Sequence, residues 1–429
     1  MKPLNFIKPL VLFVFALFLS SQIQACSMCK ITANGKTIVG NNEDYWSSEA
    51  RIWFSNGDAN NYGVAYVGHS RKIPQGAINE AGLVFDGFSL YAKDLGTGEN
   101  KIPVRDKQGL IQETMKKCST VFDVGKYLEK YNLSCFKNSM IWFIDKNGDH
   151  LIVESDTLIY GTQSYYALTN FRPSETPDPA KIDIPKYQKA LSILKTEKNP
   201  NIDFVASVMD TMKTCDKPLG DGTLYTTIYD LKETTIYLYF YHDFKQFVKL
   251  DLEKELAKGD HTLAMPELFK ENKEYSIFLA YKTPFNSKLV FYLIIIIIGL
   301  TGFLNIYFLI ILFMNVVNRN SRKNRIISSI TSIQFILING MILILSCFYL
   351  LSEIVYYMGI EKSLMSFPFP SIKYFPLIIM LSLVPIFWCG YRLFRTAEVN
   401  RLFKLSYSVN SSIYLVFILL NIYWGLLII

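Results

Sequence analysis

The feature that most constrains this chain is its last third, where long apolar segments follow one another from Leu289 onward. Four segments, at about residues 289–317, 326–357, 374–391 and 413–429, are each long enough to cross a bilayer as a helix. Although 50% of the 429 residues are hydrophobic, the part before residue 289 has the composition of a globular protein. The sequence therefore predicts a soluble domain followed by an all-α transmembrane domain of four spans.

The loops between the apolar segments predict how the chain is oriented. The first and third loops are basic, and the second carries one balanced pair of charges. The basic residues of the two loops are Arg319, Arg322, Lys323 and Arg325 in the first and Arg392, Arg395, Arg401 and Lys404 in the third. Because short basic loops stay in the cytoplasm, the soluble domain is expected outside it, in a multi-pass membrane protein. The formal net charge of +7 lies largely in these loops, so it indicates membrane lipid and not nucleic acid as a partner.

Residues 1–25 have the pattern of a secretory signal, with Lys2 and Lys8 before an apolar core at 10–19 and small Ala25 at the end. Cleavage there would leave Cys26 as the first residue. Two alternatives stay open, an uncleaved signal anchor and a lipoprotein signal that ends at Cys26. Lipidation would acylate the α-amine and thiol of Cys26 and would exclude a catalytic role for them.

Residues 26–273 are expected to form the soluble domain, joined to the spans by a short connector at 274–288. The dipeptide Asn34-Gly35 between two β-prone runs predicts a hairpin at the start of this domain. Further strands and helices come in blocks and do not alternate strictly, which favours an α+β fold with antiparallel sheets. Because the connector is short, the domain is expected close to the outer face of the membrane.

An N-terminal cysteine would combine a nucleophile and a base in one residue. An α-amine has a reference pKa of about 7.7–8.0, so much of it is neutral at working pH and can accept the thiol proton. Asp44, at the end of the predicted hairpin, is a candidate for orienting that amine.

The remaining cysteines and the histidines suggest no metal or other cofactor. The histidines show no metal-ligand spacing and are expected to be surface or hairpin residues: His69, His150, His242 and His261. A redox or metal pair of Cys26 and Cys29 is a weaker alternative, because no second such pair or nearby histidine accompanies it. Cys118 and Cys135 are predicted either to form a disulfide or to be buried free thiols.

Four motifs, in the same order along the chain, resemble the choloylglycine hydrolase and penicillin V acylase family. Cys26-Ser27 and Gly40-Asn-Asn-Glu-Asp44 resemble its first hairpin, with a Cys-to-Asp spacing similar to the isopenicillin-N acyltransferase branch. The other three motifs are Gly76-Ala-Ile-Asn79-Glu80-Ala-Gly82-Leu83, Leu168-Thr169-Asn170 and Thr223-Leu-Tyr-Thr-Thr-Ile-Tyr-Asp230. The resemblance covers about residues 26–256 and none of the membrane part.

The resemblance implies an N-terminal-nucleophile fold, an αββα sandwich, and hydrolysis of linear amide C–N bonds through a thioester. It implies that Cys26 is the nucleophile, that Asp44 orients its amine, and that Asn170 and Asn79 stabilise the oxyanion. Two departures affect substrate binding. Asn41 and Lys186 stand where the bile-salt and penicillin enzymes carry arginine, which puts those acidic substrates in doubt.

The expected substrate is a small-molecule amide, with a preference for N-acyl amides that carry fatty chains. Trp46 is a candidate for lining an apolar acyl pocket, although such an aromatic residue could equally be part of the core. Hydrolysis and acyl transfer use the same thioester, so an acyltransferase is an alternative to a hydrolase. A non-catalytic receptor or lipoprotein module on the same fold is another. The sequence predicts no oligomeric state.

Overall fold

Two antiparallel β-sheets form the frame of the soluble part. The structure, a computed structural model, describes residues 26–46, 49–69, 73–93, 101–155, 157–197, 199–216, 221–317, 322–363, 370–395 and 399–427. The predicted signal at residues 1–25 lies outside the described residues. The chain divides into two compact units, Ile23–Ala280 and a second unit that contains Tyr281–Ile429.

The described strands belong to the first unit. They are β1 (Ser27–Ala33), β2 (Lys36–Tyr45), β3 (Ala50–Ser55), β4 (Val64–His69), β5 (Ile73–Asn79), β6 (Val84–Ser89), β7 (Ile102–Pro103), β8 (Tyr131–Asn132), β9 (Ser139–Ile144), β10 (His150–Val153), β11 (Leu158–Gly161), β12 (Tyr165–Leu168), β13 (Cys215–Asp216), β14 (Asp221–Asp230), β15 (Thr235–Phe240), β16 (Asp243–Asp251) and β17 (His261–Ala264).

The helices of the first unit are α1 (Lys107–Lys117), α2 (Val121–Leu128), α3 (Pro185–Leu194), α4 (Ile202–Met212), α5 (Leu252–Leu256) and α6 (Lys273–Ala280). Those of the second unit are α7 (Lys288–Val317), α8 (Arg322–Leu351), α9 (Val355–Ser363), α10 (Phe375–Leu381), α11 (Leu383–Arg395) and α12 (Arg401–Tyr423). Short 3₁₀ turns occur at Leu133–Phe136, Pro179–Lys181, Met265–Leu268 and Pro370–Tyr374.

The predicted hairpin at Asn34-Gly35 is confirmed. Both turn residues have positive φ, 51° and 71°, as a two-residue turn between antiparallel strands requires. This turn sets the β1–β2 register from Ala33 opposite Lys36 to Ser27 opposite Asn42. The hairpin lies inside the first sheet, whose strand order is β12-β1-β2-β14-β15-β16, with β13 paired to β14.

The second sheet has the order β11-β10-β9-β6-β5-β4-β3-β17 and faces the first. Trp142 of β9 meets Tyr166 of β12 edge-on, with ring centroids 5.4 Å apart. Helices cover the outer faces. Residues of α1 and α2 form one apolar core with the second sheet, and residues of α3 and α4 form another with the first. Within the described residues, the strand pairings of the two large sheets are antiparallel, so the first unit is an α+β sandwich of four layers, as predicted.

The first half of the connector predicted at 274–288 is helical, because α6 spans Lys273–Ala280. Asn272 caps this helix: its Oδ1 accepts hydrogen bonds from the backbone N–H groups of Glu274 (2.9 Å) and Tyr275 (3.1 Å). Tyr275 then meets the ring of Tyr241 edge-on, and Phe278 packs against the same ring at a tilt. The helix is therefore stabilised by tertiary contacts of the soluble unit that the local sequence does not reveal.

The second unit contains, within the residues described, four helical segments long and apolar enough to cross a membrane: Lys288–Val317, Ile326–Leu351, Ser371–Arg395 and Arg401–Tyr423. Asparagine side chains form hydrogen bonds between these helices in the buried interior. The Nδ2 of Asn339 donates to Asn410 Oδ1 at 3.2 Å, and the hydroxyl of Tyr349 donates to Asn421 Oδ1 at 2.5 Å. Such interhelical bonds satisfy polar groups that have no access to water.

Two predicted span boundaries are wrong. The second span was expected to continue to residue 357, but α8 ends at Leu351 and α9 is a separate helix. The fourth was expected to begin at residue 413, but α12 begins at Arg401, so two basic residues assigned to the third loop lie in a helix. The side chain of Asn400 caps α12, and the hydroxyl of Ser408 donates a hydrogen bond to the carbonyl of Lys404. These polar side chains therefore form their hydrogen bonds with the backbone of the helix itself.

Candidate active site

The β1–β2 hairpin brings Cys26 together with Glu43. Continuing the observed register by one residue beyond Ser27 and Asn42 sets these two side chains opposite each other. The Cys26 thiol donates to the Glu43 carboxylate, with Sγ 3.6 Å from Oε2. Cross-strand neighbours in a sheet lie on the same face, so both side chains point into the space between the two sheets. The spacing from the Asn-Gly turn was a signal for Glu43 that the sequence analysis missed.

Glu43 links the thiol to the second sheet. Its Oε1 lies 3.4 Å from Nε2 of His69, at the end of β4, and the ring of Tyr45 stacks on that imidazole with centroids 3.5 Å apart. His69 is only 7% exposed and pairs with Ile73 at the end of the β4–β5 hairpin, so of the two predicted placements, surface or hairpin, the structure shows the hairpin. His150 and His242 are also buried.

Asp44 points to the opposite face of β2, toward the helices. Its carboxylate accepts hydrogen bonds from the hydroxyls of Thr214 (2.8 Å) and Thr223 (2.6 Å) and lies 3.6 Å from Nζ of Lys186. The structure thus brings two of the predicted site residues, Asp44 and Lys186, into one ion pair. Asp44 also acts on Cys26 through its backbone, since a hydrogen bond from its main chain to the thiol lowers the thiol pKa.

The net effect of the surroundings on Cys26 is in the other direction. Desolvation of the thiol raises its pKa well above the ordinary value, and the nearby charges of Glu43, Asp44 and Asp86 add to this. The residue therefore lies in its thiol form at neutral pH in this arrangement. A nucleophile in this position needs a base that removes its proton during the reaction.

Asp86, on β6 of the second sheet, completes an acidic cluster with Glu43 beside the thiol. It is fully buried, and Gly76 opposite it leaves room for its carboxylate, because a Cβ at that position would lie 2.5 Å from Oδ2. Burial, followed by the charge of Glu43, raises the pKa of Asp86 well above the ordinary value, while a backbone hydrogen bond from Gly87 opposes the shift. No sequence signal identifies Asp86, because no local motif or spacing links it to Cys26.

The raised pKa of Asp86 predicts a pH-dependent stability. The folded protein binds this proton more tightly than the unfolded chain, so Asp86 costs stability as pH rises above the unfolded pKa of about 3.8 toward the folded value. Each unit of pKa difference is worth about 1.4 kcal/mol. Relative to wild type, Asp86→Asn is therefore expected to gain stability as the pH rises above about 3.8. The measurement is thermal unfolding of the detergent-solubilised protein over a series of pH values from acid to neutral.

Asp183→Asn is the matched control for this prediction, since Asp183 is exposed. It removes the same unit of charge from an exposed position. An Asp86→Asn variant whose stability relative to wild type changes with pH no more than that of Asp183→Asn would contradict a raised pKa at Asp86.

The two asparagines predicted to stabilise an oxyanion have different positions. Asn170 follows β12, and continuing the β1–β12 register from Met28 opposite Leu168 sets it opposite Cys26. One N–H of its amide donates to the carbonyl of Ser89 at 2.8 Å. Asn170 therefore lies at the same end of the sheet as Cys26, next to β6.

Asn79 does not fit the predicted role. Its Nδ2 donates to the carbonyls of Met115 and Cys118, both at 2.8 Å, and its Oδ1 accepts from the backbone N–H groups of Ala81 and Leu83. Both amide hydrogens are used to hold the β5–β6 turn against the end of α1. Neither is left to donate to an oxyanion, so the structure assigns Asn79 to the turn.

The predicted substrate-binding residues are divided between the two faces of β2. Asn41 points to the inner face and is fully buried, and neither atom of its amide group has a hydrogen-bond partner among the described residues. Lys186 is held at Asp44 on the outer face, where its Nζ also donates to Thr214 Oγ1 at 3.0 Å. Trp46 directly follows β2 and stacks on Tyr45 with centroids 5.1 Å apart.

The other cysteines are separate from this site. Cys29 is buried on the helix-facing side of β1, with Sγ 3.5 Å from Sδ of Met209, so it faces away from Cys26. Cys118 and Cys135 are both free thiols, and the disulfide alternative is not formed.

Two solved structures are similar to this chain. A structure of penicillin V acylase from Agrobacterium tumefaciens has 17% sequence identity to this chain and a TM-score of 0.44. The match covers 58% of this chain and 98% of that one. A crystal structure of a mutant conjugated bile acid hydrolase from Clostridium perfringens has 16% sequence identity to this chain and a TM-score of 0.44. That match covers 58% of this chain and 97% of the other. No protein-family model and no curated protein sequence matches the chain. The assignment of chemistry depends on the residues around Cys26.

Proposed function

We propose that this protein is a membrane-anchored hydrolase of linear amide C–N bonds that acts through Cys26 as an N-terminal nucleophile. The observation that carries the proposal is the contact of the Cys26 thiol with Glu43 at the start of the central hairpin, on the inner face of the sandwich. There the thiol lies between two sheets that hold acidic and amide side chains around it. The sequence motifs around Cys26, Asp44 and Asn170 support the same chemistry.

In the proposed reaction, the α-amine of mature Cys26 takes the thiol proton while Sγ attacks the carbonyl carbon of the amide. The new S–C bond produces a tetrahedral oxyanion, which collapses as the C–N bond breaks and the leaving amine accepts the proton. Water then attacks the thioester, with the same amine as base, and releases the acid. The raised pKa of the thiol is consistent with a mechanism in which the base acts during attack and not before it.

The surrounding residues have separate proposed roles. Asn170 donates an amide hydrogen to the oxyanion, where negative charge develops. Glu43, 3.6 Å from Sγ, supports the ammonium that forms on Cys26. Asp44 orients the end of β2 through its bonds to Thr214 and Thr223 and through its main chain.

The proposed substrates are N-acyl amides with fatty chains. The same chain carries four helices apolar enough to cross a membrane, so the enzyme would be tied to the bilayer into which such amides partition. Each buried CH₂ is worth about 0.8 kcal/mol, or about a fourfold change in partitioning. Acidic substrates of the bile-salt or penicillin kind are not favoured by a cluster that contains Glu43 and Asp86. An acyltransferase remains the second candidate, because an amine can attack the same thioester in place of water.

The test is a chain-length series of N-acyl amides with one common leaving amine, given to the full protein in lipid vesicles. We expect release of the amine with a kcat/KM that rises with acyl length. Mass spectrometry of the same sample should show an N-terminus at Cys26 with a free amine.

The possible outcomes test the proposed substrate class and the proposed hydrolase chemistry separately. Hydrolysis at rates independent of chain length would overturn the fatty-amide proposal and leave the hydrolase intact. No hydrolysis of any member by protein with a free Cys26, or a diacylglyceryl Cys26, would overturn the hydrolase itself. Acylation of an added amine faster than hydrolysis would favour the acyltransferase.

A further inference from the structure

A second cluster of chemically reactive side chains forms at another edge of the soluble unit. Cys215 lies on β13, His242 in the turn between β15 and β16, and Glu274 in the first turn of α6. One ligand atom from each of the three lies within 4.8 Å of the other two. The residues are far apart in the chain, so only the fold brings them together.

We propose that Cys215, His242 and Glu274 bind a zinc ion, with water as the fourth ligand. This proposal does not rest on the proposed hydrolase activity. It would fasten α6 and β13 to the β15–β16 turn.

Two of the three distances between ligand atoms are close to those around a tetrahedral ion, and the third, between Cys215 and His242, is no more than 4.8 Å, so these two side chains would have to approach each other on binding. Oε2 of Glu274 lies 3.0 Å from Nδ1 of His242 and 3.8 Å from Sγ of Cys215. With ordinary Zn–N, Zn–O and Zn–S bond lengths, tetrahedral ligand atoms are about 3.3–3.5 Å apart. The first pair is thus slightly closer and the second slightly farther than needed. Glu274 is half exposed at the start of a helix, so small rotations of its side chain can equalise the two distances.

The chemical types of the three ligand atoms indicate which metal ion would bind. A thiolate and an imidazole are ligands for zinc and similar borderline ions, whereas calcium and magnesium prefer an all-oxygen shell. An ordinary ion pair would need only His242 and Glu274. Such a pair is formed elsewhere in this unit by His261 and Glu255, with Nε2 and Oε2 3.1 Å apart. The thiol of Cys215 against the same carboxylate distinguishes the cluster from that pair.

The imidazole is held in place by an unusual turn. Tyr241 and His242 form a two-residue turn with φ of 51° and 63°, positions that favour Asn and Gly. Bulky residues in the left-handed region cost free energy and occur at functional positions. Asn272, which caps α6, donates from Nδ2 to the carbonyl of Tyr241 at 3.0 Å. The helix that carries Glu274 is therefore already bonded to the turn that carries His242.

The site also adjoins the candidate active site. Cys215 directly follows Thr214, whose hydroxyl donates to Asp44 at 2.8 Å, and Lys213 lies 3.4 Å from the carbonyl of His242. A bound ion would restrain this stretch of chain and, through Thr214, the carboxylate of Asp44.

The test uses the full-length protein in detergent, stripped of metal with a chelator and titrated with Zn²⁺ and, separately, Co²⁺. We expect one ion per chain, a thermal midpoint that rises with Zn²⁺, and the near-ultraviolet charge-transfer absorption of a Co²⁺–thiolate bond. Cys215→Ser should abolish that absorption, and Glu274→Gln should weaken binding at least about tenfold. Because Glu274 is exposed, its variant is expected to fold even if a variant of buried His242 does not.

Three variants are matched controls. Glu255→Gln alters the other histidine–carboxylate pair, Cys135→Ser alters another half-buried thiol, and Cys26→Ala removes the candidate nucleophile. All three should keep one ion and the Co²⁺–thiolate absorption. Absence of binding, binding unchanged in both Cys215→Ser and Glu274→Gln, or loss of binding in Cys26→Ala would each overturn the proposed site.

Discussion

Replacing Cys26 with alanine is expected to abolish amide hydrolysis, with a fall in kcat of about 10⁴-fold or more, because the residue supplies the atom that bonds to the substrate. Cys26→Ser should retain little activity, since a hydroxyl is a poorer nucleophile with the same weak base. The side chain is half-buried and small, so Cys26→Ala should fold with an unchanged thermal midpoint. The measurement is turnover of the best amide in the series, per folded enzyme.

Cys29→Ala is the control for this experiment. Cys29 is a buried thiol on the same strand, but it faces α4 and contacts Met209, away from the inner face. We expect it to keep full turnover and to lose only a little stability from the small cavity. An active Cys26→Ala together with an inactive Cys29→Ala would show that the wrong face of the strand was assigned to the chemistry.

Asn170→Ala is expected to lower kcat by about 100- to 1000-fold with little change in KM, because an oxyanion donor acts mainly on the transition state. Its amide uses one N–H on the carbonyl of Ser89, which orients the side chain and leaves the second N–H for the oxyanion. Steady-state kinetics on the preferred amide give this comparison directly. Unchanged turnover would remove Asn170 from the mechanism.

Asn79→Ala separates catalysis from folding. Two of its four hydrogen bonds join the β5–β6 turn to the end of α1 and two lie within the turn, and each buried group left unpaired costs roughly 1–3 kcal/mol. We therefore expect a clearly lower thermal midpoint and a normal kcat for the molecules that remain folded. A large loss of kcat without loss of stability would return Asn79 to the catalytic role that the sequence motif implies.

Several elements could be predicted from the sequence because their signals are local. The helix α1 (Lys107–Lys117) begins at such a signal, because Asp106 caps it by accepting a hydrogen bond from the N–H of Gly109. The capping box at Thr120 and Asp123 is also observed. Caps and two-residue turns involve groups within four positions of each other, so few residues decide them.

The long-range contacts of the site could not be predicted in the same way. Glu43 could have been found, because the Asn34-Gly35 turn alone determines which residue lies opposite Cys26. His69 and Asp86 could not, because they lie on the facing sheet, and sequence spacing says nothing about which strands of two sheets meet. Asn79 shows the converse, since a motif match suggested a role that its buried hydrogen bonds exclude.

The sequence by itself determined the division into an apolar helical part and an α+β part, the hairpin that carries Cys26, and the position of the thiol at its start. These follow from hydropathy, turn chemistry and strand register, which act over short distances in the chain. Only the tertiary structure decided that Lys186 lies beside Asp44 on one face of β2 and that Asp86 lies near Glu43 on the other. It alone assembled Cys215, His242 and Glu274. Such neighbours are set by the packing of sheets and helices against each other, a property of the whole folded unit.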